Sequence, residues 1–330
     1  MDLKGCNLKL VSSPAISVLI PVYNGLPYIQ ETIQCLMEQT FSNFEVLLID
    51  DHSTDNSYNA IENQILLNNR FKLMKMPYKA GNAVRVITYG LQYCLGKYFF
   101  YMSQDDIIDK DCLDILFQNA EKYQADAAIP DMEWYHANQK NNLKILPPKE
   151  YNYHQVYSGG EKAFLYSLPW YIHGFYLRRM DLLNQVGYDD TILTGDECTS
   201  RKYLFFCKKI VFCSTNFYYR QDNPFALTKK FNPHLIDEIH GLIQLLYFMK
   251  KHNMNEKEIK ALHKSSISKV FSYRKQIRQN MLNLSHSDLV LSKDKLYSAS
   301  RELLDFSFKN LYFAKVYRLI FLWLMMKVQR

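Results

Sequence analysis

The chain has 330 residues, 48% hydrophobic and 22% charged, which excludes a disordered polypeptide and is long enough to bury a full core. Gly and Pro are scarce (11 and 10) beside 25 Tyr and 20 Phe, so repeats, collagen-like sequence and flexible linkers are excluded as well. The net charge of +7 is gathered at one end: residues 231–330 hold 17 Lys and Arg against 8 Asp and Glu, and residues 1–230 hold 23 against 25. A basic half points to a polyanion, either nucleic acid or an anionic membrane surface.

In chain order, residues 16–22 form an apolar run too continuous for a half-exposed strand, as expected of a parallel strand covered on both faces. Pro27 to Gln39 has helical spacing, Phe44 to Ile49 is a second strand, Ser57 to Leu67 a second helix and Phe71 to Met74 a third strand. Ala83 to Leu95 reads as helix and Tyr98 to Met102 as strand. Alternation of this kind predicts an α/β fold with a mainly parallel sheet and flanking helices, because parallel strands need long right-handed crossovers. Residues 127–230 mix short strands with helices, and from Pro233 onward the pattern is helical and basic, with the boundary near 230.

The seven cysteines, at 6, 35, 94, 112, 198, 207 and 213, are odd in number and contain no CxxC pair. They read as free thiols in a reducing compartment, not as a disulfide framework or a zinc site. The first residues lack the apolar core of a signal peptide, so a cytoplasmic location is expected.

Ligands of such sheets bind at the carboxyl ends of the strands. Three polar clusters fall there: Tyr23 and Asn24, Asp50 and Asp51, and Gln104 with Asp105 and Asp106. Adjacent carboxylates at a strand end suit a hard cation such as Mg²⁺ or Mn²⁺ bridging protein and diphosphate; the same residues also make an ordinary turn and helix cap. Asp50 and Asp51 admit both readings too, as turn residues or as acceptors for a base or ribose. GxGxxG and GxxxxGK[ST] are absent, which removes the best support for dinucleotide and P-loop binding.

Taken together, Ile16 to Gly25, Gln39-Thr40-Phe41, Phe44-Glu45-Val46 and Ile49 to Ser57 closely resemble family 2 of the inverting glycosyltransferases, of the bacterial surface-polysaccharide type. The resemblance continues through Gly81, Arg85, Gly96-Lys97-Tyr98 and Ser103-Gln104-Asp105-Asp106 to Tyr218-Tyr219-Arg220, covering residues 15–230. It implies a GT-A domain at 15–230, with a nucleotide-sugar half (15–110) and an acceptor half (111–230), after an extension at 1–14 and before a helical basic region at 231–330. It further implies that Pro21, Tyr23 and Asn24 lie along the nucleotide, that Asp51 bonds the base with Asp50 beside it, and that Arg85, Gln104 and Asp105 lie close to the donor. Asp105 and Asp106 match the family's metal site, with Asp106 the expected direct ligand of Mn²⁺ or Mg²⁺. Ser103 stands where the family often has Asp.

Inversion needs a base for the acceptor hydroxyl. Gly195-Asp196-Glu197 resembles the family's Glu-Asp-Glu base motif, with Gly195 in place of the first Glu, so Asp196 is the expected base and Glu197 the alternative; an acidic helix start is the structural reading. Arg220, after an aromatic strand, suits phosphate, or else a surface salt bridge. His173, beside Trp170 and Gly174, reads as a packed residue or a contact to diphosphate or acceptor. The expected activity is transfer from a nucleotide-diphospho-sugar to a saccharide or lipid-linked acceptor. Residues 311–330, with an apolar run at Leu319–Met326 too short to span a bilayer, suit a peripheral contact at the inner face of the plasma membrane or a docked helix. A homodimer through the aromatic-rich helices is a further expectation. Nucleic acid is not expected, since the basic residues are dispersed among apolar helical positions. The rival functions are a sugar-phosphate nucleotidyltransferase, which would show a Gly-rich loop after the first strand, and a catalytically degenerate nucleotide-sugar or membrane-binding protein.

Overall fold

The computed structural model describes residues 13–137, 142–227, 229–312 and 316–328, with side chains as far as residue 323. Cys6, most of the N-terminal extension and part of the 311–330 tail therefore lie outside the described residues.

Strands β1 (Ile16–Val22), β2 (Phe44–Asp50), β3 (Phe71–Lys75) and β4 (Tyr98–Tyr101) run parallel in the order β3-β2-β1-β4. Their crossovers are α1 (Ile29–Met37), α2 (Ser57–Ile65) and α3 (Ala83–Leu91). Every residue of β2 and β4 is buried, which is why these strands read as unbroken apolar runs. Helix α3 stops four residues short of the predicted Leu95, because the Leu95 N–H donates to the Glu45 carboxylate, at 2.7 Å, instead of continuing the helical ladder.

The sheet continues through β5 (Ile107–Ile108), β6 (Ala127–Tyr135), β7 (Leu143–Ile145), β8 (Val156–Tyr157), β9 (Leu177–Arg179) and β10 (Ile210–Arg220). Between them lie α4 (Cys112–Tyr123), α5 (Glu161–Ser167), α6 (Met180–Val186) and α7 (Gly195–Phe206). The ten strands follow the order β3-β2-β1-β4-β9-β6-β10-β5, with β7 on β6 and β8 on β10. The long pairings are parallel, including β6 with β10, whereas the short β9 is antiparallel to both β4 and β6. This is a mixed sheet with flanking helices.

Glu45 staples its parallel half together. It is 4% exposed, and its carboxylate accepts from the Ser17 hydroxyl of β1 at 2.7 Å, from Lys72 of β3 at 2.8 Å and from the Leu95 N–H ahead of β4.

From residue 233 the chain is helical: a 3-10 turn at Pro233–Ile236, then α8 (Asp237–Lys251), α9 (Glu256–Asn280), α10 (His286–Lys309) and α11 (Val316–Val328). These helices enclose their own buried cluster, tied to the sheet domain by Phe164, Ile192 and Cys198. Gly241 of α8 permits close approach to α7, since a Cβ there would sit 2.7 Å from Thr194 Oγ1. Helix α11 buries Val316, Leu319 and Leu322 and leaves Tyr317 and Phe321 exposed. Among the described residues no helix is long and apolar enough to cross a membrane.

Glu45→Ala should lower stability by about 1–3 kcal/mol for each buried partner left without its acceptor. Urea unfolding would show this as a lower midpoint at constant slope, with Glu45→Gln in between; an unchanged midpoint would refute the staple.

Candidate active site

The carboxyl ends of β1, β2 and β4 open on a cleft of about 1130 Å³ that reaches across to α7. Pro21, Tyr23, Asn24 and Asp51 line one end. The Tyr23 ring is 41% exposed, and Lys79 Nζ lies 4.4 Å from its centre while donating to its hydroxyl at 3.0 Å. Asn24 adopts a left-handed φ of 49° and its amide oxygen accepts the Thr54 N–H at 2.7 Å, which ties the ends of β1 and β2 together. Asp51 accepts the N–H groups of Ala80 and Gly81 at 2.5 and 2.7 Å, and so shapes the loop before α3. Gln104 clasps the Tyr23 main chain with both ends of its amide, at 2.9 and 3.0 Å.

Two expected donor residues lie outside this lining. Asp50 is buried beneath the loop, accepting the Ser53 N–H. Arg85 is exposed on α3 and donates to the carbonyls of Ala80 and Asp190, both at 3.4 Å.

The acidic pair closes the middle of the cleft. Asp105 lines it, with Oδ2 accepting from the Asn223 amide at 2.7 Å. Asp106 is fully buried, and its two oxygens accept the N–H groups of Arg220 and Ser103 at 3.1 and 3.2 Å. Asp105, which sequence reasoning placed second as a metal ligand, is thus the member of the pair that faces the cleft. The Thr32 hydroxyl of α1 donates to the carbonyls of Gln104 and Asp106 and holds the turn down.

Arg220 is 5% exposed, not at the surface. Its guanidinium donates to the Asp105 carbonyl at 2.8 Å and pairs with Glu31 and Asp222. Burial, together with the neighbouring Asp105 charge, raises the Asp106 carboxyl well above the usual carboxylate range, and burial raises Asp105 as well. Adjacent carboxylates stripped of water, beside a guanidinium already committed to Glu31 and Asp222, fit a hard divalent cation. Among the described residues no three His, Cys, Asp or Glu side chains converge on one metal position. A cation here would take the rest of its oxygen ligands from a diphosphate and water.

Across the cleft, α7 presents Asp196 and Glu197. A Cβ on Gly195 would lie 1.7 Å from the Asp189 carbonyl, so only glycine fits the start of this helix. Glu197 pairs with Arg201 one turn on, at 2.8 Å. Burial pushes the Asp196 carboxyl up to about 6, Glu197 raises it further, and Arg178 and Arg201 oppose the rise. Tyr101 and Tyr219 sit between the two acidic groups: burial raises both phenols, and carboxylates from both sides raise them further. His173 is 3% exposed, donating from Nε2 to the Pro130 carbonyl at 2.8 Å and accepting the Phe175 N–H at Nδ1. Burial lowers it to about 4, so it is a neutral, packed residue near neutral pH.

Sequence reasoning missed Thr32, Lys79 and Asn223. Each acts across a separation of 56 residues or more, which no local pattern signals. It also missed Glu238, Tyr273 and Gln276, cleft-lining residues of α8 and α9.

This fold and cleft are those of a glycosyltransferase. The family model "Glycosyl transferase family 2" matches residues 17–187, and the chain belongs to that family. Glycosyltransferase GlyG of Streptococcus pneumoniae serotype 4 is 26% identical over 228 residues, which span 67% of this chain and 75% of GlyG. Glycosyltransferase GlyA of the same organism is 24% identical over 294 residues, 81% of this chain but only 41% of GlyA. Among solved structures, S. aureus TarS 1–349 in complex with UDP-GlcNAc matches with a TM-score of 0.63 at 17% identity, over 87% of this chain and 81% of TarS 1–349. GalNAc-T7 with UDP, GalNAc and Mn²⁺ matches with a TM-score of 0.50 at 14% identity, over 70% of this chain and 48% of its own. These likenesses show the GT-A fold.

Gly195→Ala should cost about 1–3 kcal/mol through overpacking against the Asp189 carbonyl. A melting temperature equal to that of the unaltered chain would contradict the close approach.

Proposed function

We propose that the chain is an inverting glycosyltransferase that moves a sugar from a nucleotide-diphospho-sugar to a saccharide or lipid-linked acceptor in surface polysaccharide or glycolipid synthesis. The observation that carries this is the placement of Asp105 and Asp196 on opposite walls of one cleft, the first at the end of β4 and the second on α7. The UDP-GlcNAc bound by TarS, on the same fold, supports a nucleoside diphosphate carrier.

Tyr23, Asn24 and Asp51 would hold the nucleoside, and Asp105, backed by Asp106, would hold Mn²⁺ or Mg²⁺. The cation supplies charge stabilisation to the departing diphosphate. Asp196 takes the proton of the acceptor hydroxyl as its oxygen bonds to the anomeric carbon and the bond to the diphosphate oxygen breaks. Glu197, paired with Arg201, leaves Asp196 as the carboxylate for this step. The steric demand at Gly195 gives a structural reason for the departure from the family's base motif, which disfavours a degenerate protein.

Thermal shift against UDP, GDP, dTDP and CMP and their sugars, with and without Mn²⁺, tests the donor class. Saturation at 100 times Kd should stabilise the fold by about 2.7 kcal/mol, dependent on metal and lost in Asp105→Ala. A metal-independent shift would refute the cation assignment, and no shift with any nucleotide would refute the transferase reading. Asp196→Asn should keep donor affinity and lower kcat by about 10²–10⁴. In the unaltered enzyme kcat should fall as pH drops below about 6, because only the ionised Asp196 carboxylate can accept a proton. Retained turnover in Asp196→Asn would move the base elsewhere.

The same reading includes a peripheral membrane contact through 311–330, where Tyr317 and Phe321 are exposed beside Arg318. Co-sedimentation with phosphatidylglycerol vesicles should weaken in a Tyr317→Ser, Phe321→Ser double variant. Equal binding would assign α11 to packing alone.

A further inference from the structure

The cleft does not end at Asp196. It continues past Glu197 and Arg201 to a wall built by the C-terminal helices, where Glu238 of α8 and Tyr273 and Gln276 of α9 line it. All three lie outside residues 17–187, the stretch matched by the family model. At about 1130 Å³ the cleft exceeds the roughly 300–1,000 Å³ that suffices for a single small ligand.

The carboxylates of this wall are paired. Tyr273, 7% exposed, donates its hydroxyl to Glu238 Oε2 at 2.7 Å, and Lys269 holds the other Glu238 oxygen at 2.7 Å. Glu197 is matched by Arg201 at 2.8 Å. Burial raises the Tyr273 phenol, and the charges of Glu238 and then Glu197 raise it further, so the ring stands within electrostatic reach of the residue next to Asp196. Lys229, at the rim, donates to Gln221 at 3.3 Å. The wall therefore offers carboxylate, phenol and amide groups to hydroxyls, and its arginine is already paired.

Between this wall and the acidic pair lies an aromatic floor. Phe175 and Tyr219 have ring centres 5.3 Å apart, and Trp170 lies 6.4 Å from Tyr219. Rings of this kind suit the C–H face of a sugar, while the polar wall suits its hydroxyl edge.

We propose that α8 and α9 form the acceptor subsite, that Glu238, Tyr273 and Gln276 position the acceptor, and that the acceptor's terminal unit is an uncharged saccharide. This rests on the glycosyl-transfer reading above. The basic C-terminal region then completes the site rather than merely flanking it.

The test uses the full chain, the donor identified by thermal shift, and two acceptor series: neutral p-nitrophenyl mono- and disaccharides, and glycerol phosphate and ribitol phosphate oligomers. Gln276→Ala, at a partly exposed helical position, and Tyr273→Phe, which removes only a hydroxyl, should each raise the KM for the preferred saccharide by about tenfold, with donor Kd held within about twofold by calorimetry. Unchanged acceptor KM in both variants overturns the subsite. A preference for the phosphate polymers, or donor binding with no turnover or binding of any saccharide, overturns the saccharide assignment. Failure of the unaltered chain to bind every nucleotide sugar would instead overturn the underlying transferase reading.

Discussion

The site depends on holding two adjacent carboxylates after β4, Asp106 buried and Asp105 half-buried against the cleft. Burial makes their charge costly, and the fold answers with donors from distant parts of the chain, the Arg220 N–H of β10 on the Asp106 carboxylate and the Asn223 amide on that of Asp105, while Thr32 of α1 and the Arg220 guanidinium hold the main-chain carbonyls of the same turn. Arg220 relieves part of the cost but is shared with Glu31 and Asp222. The remaining negative charge faces the cleft at Asp105. On the proposed function, a cation and a diphosphate would complete this arrangement electrostatically.

The opposite wall is governed by a steric constraint. The Asp189 carbonyl crosses the start of α7 so closely that residue 195 must be glycine, and that crossing fixes where Asp196 enters the cleft. Arg201 engages Glu197, and Tyr101 and Tyr219 fill the space between the acidic groups.

The parallel half of the sheet was legible because its strands are covered on both faces and end in polar clusters. Their succession along the chain, and the family resemblance from Ile16 to Asp106, required no knowledge of tertiary contacts. The mixed character of the rest was not legible: β9 has three residues, and its antiparallel pairing to β4 and β6 leaves no periodic signal. Asp51, Asp105 and Asp196, placed at the site by the family resemblance, line the cleft; their position beside regular elements alone left them open as turn or cap residues. Asp50, chosen as the neighbour of Asp51, and Arg85, carried over from the family resemblance, fall outside the cleft because strand alternation and helix phase turn them away. Tyr273 and Gln276 were beyond reach, since nothing in a basic amphipathic helix shows which face closes over a site built by earlier parts of the chain.

The central claim is a single displacement at the anomeric carbon, with Asp196 and the donor diphosphate on opposite sides of the sugar. The most direct measurement is proton NMR of the sugar first released when water serves as acceptor, recorded before mutarotation. From an α-linked nucleotide sugar the account predicts the β anomer. Release of the α anomer would contradict it, because retention requires a different arrangement of groups around the reacting carbon.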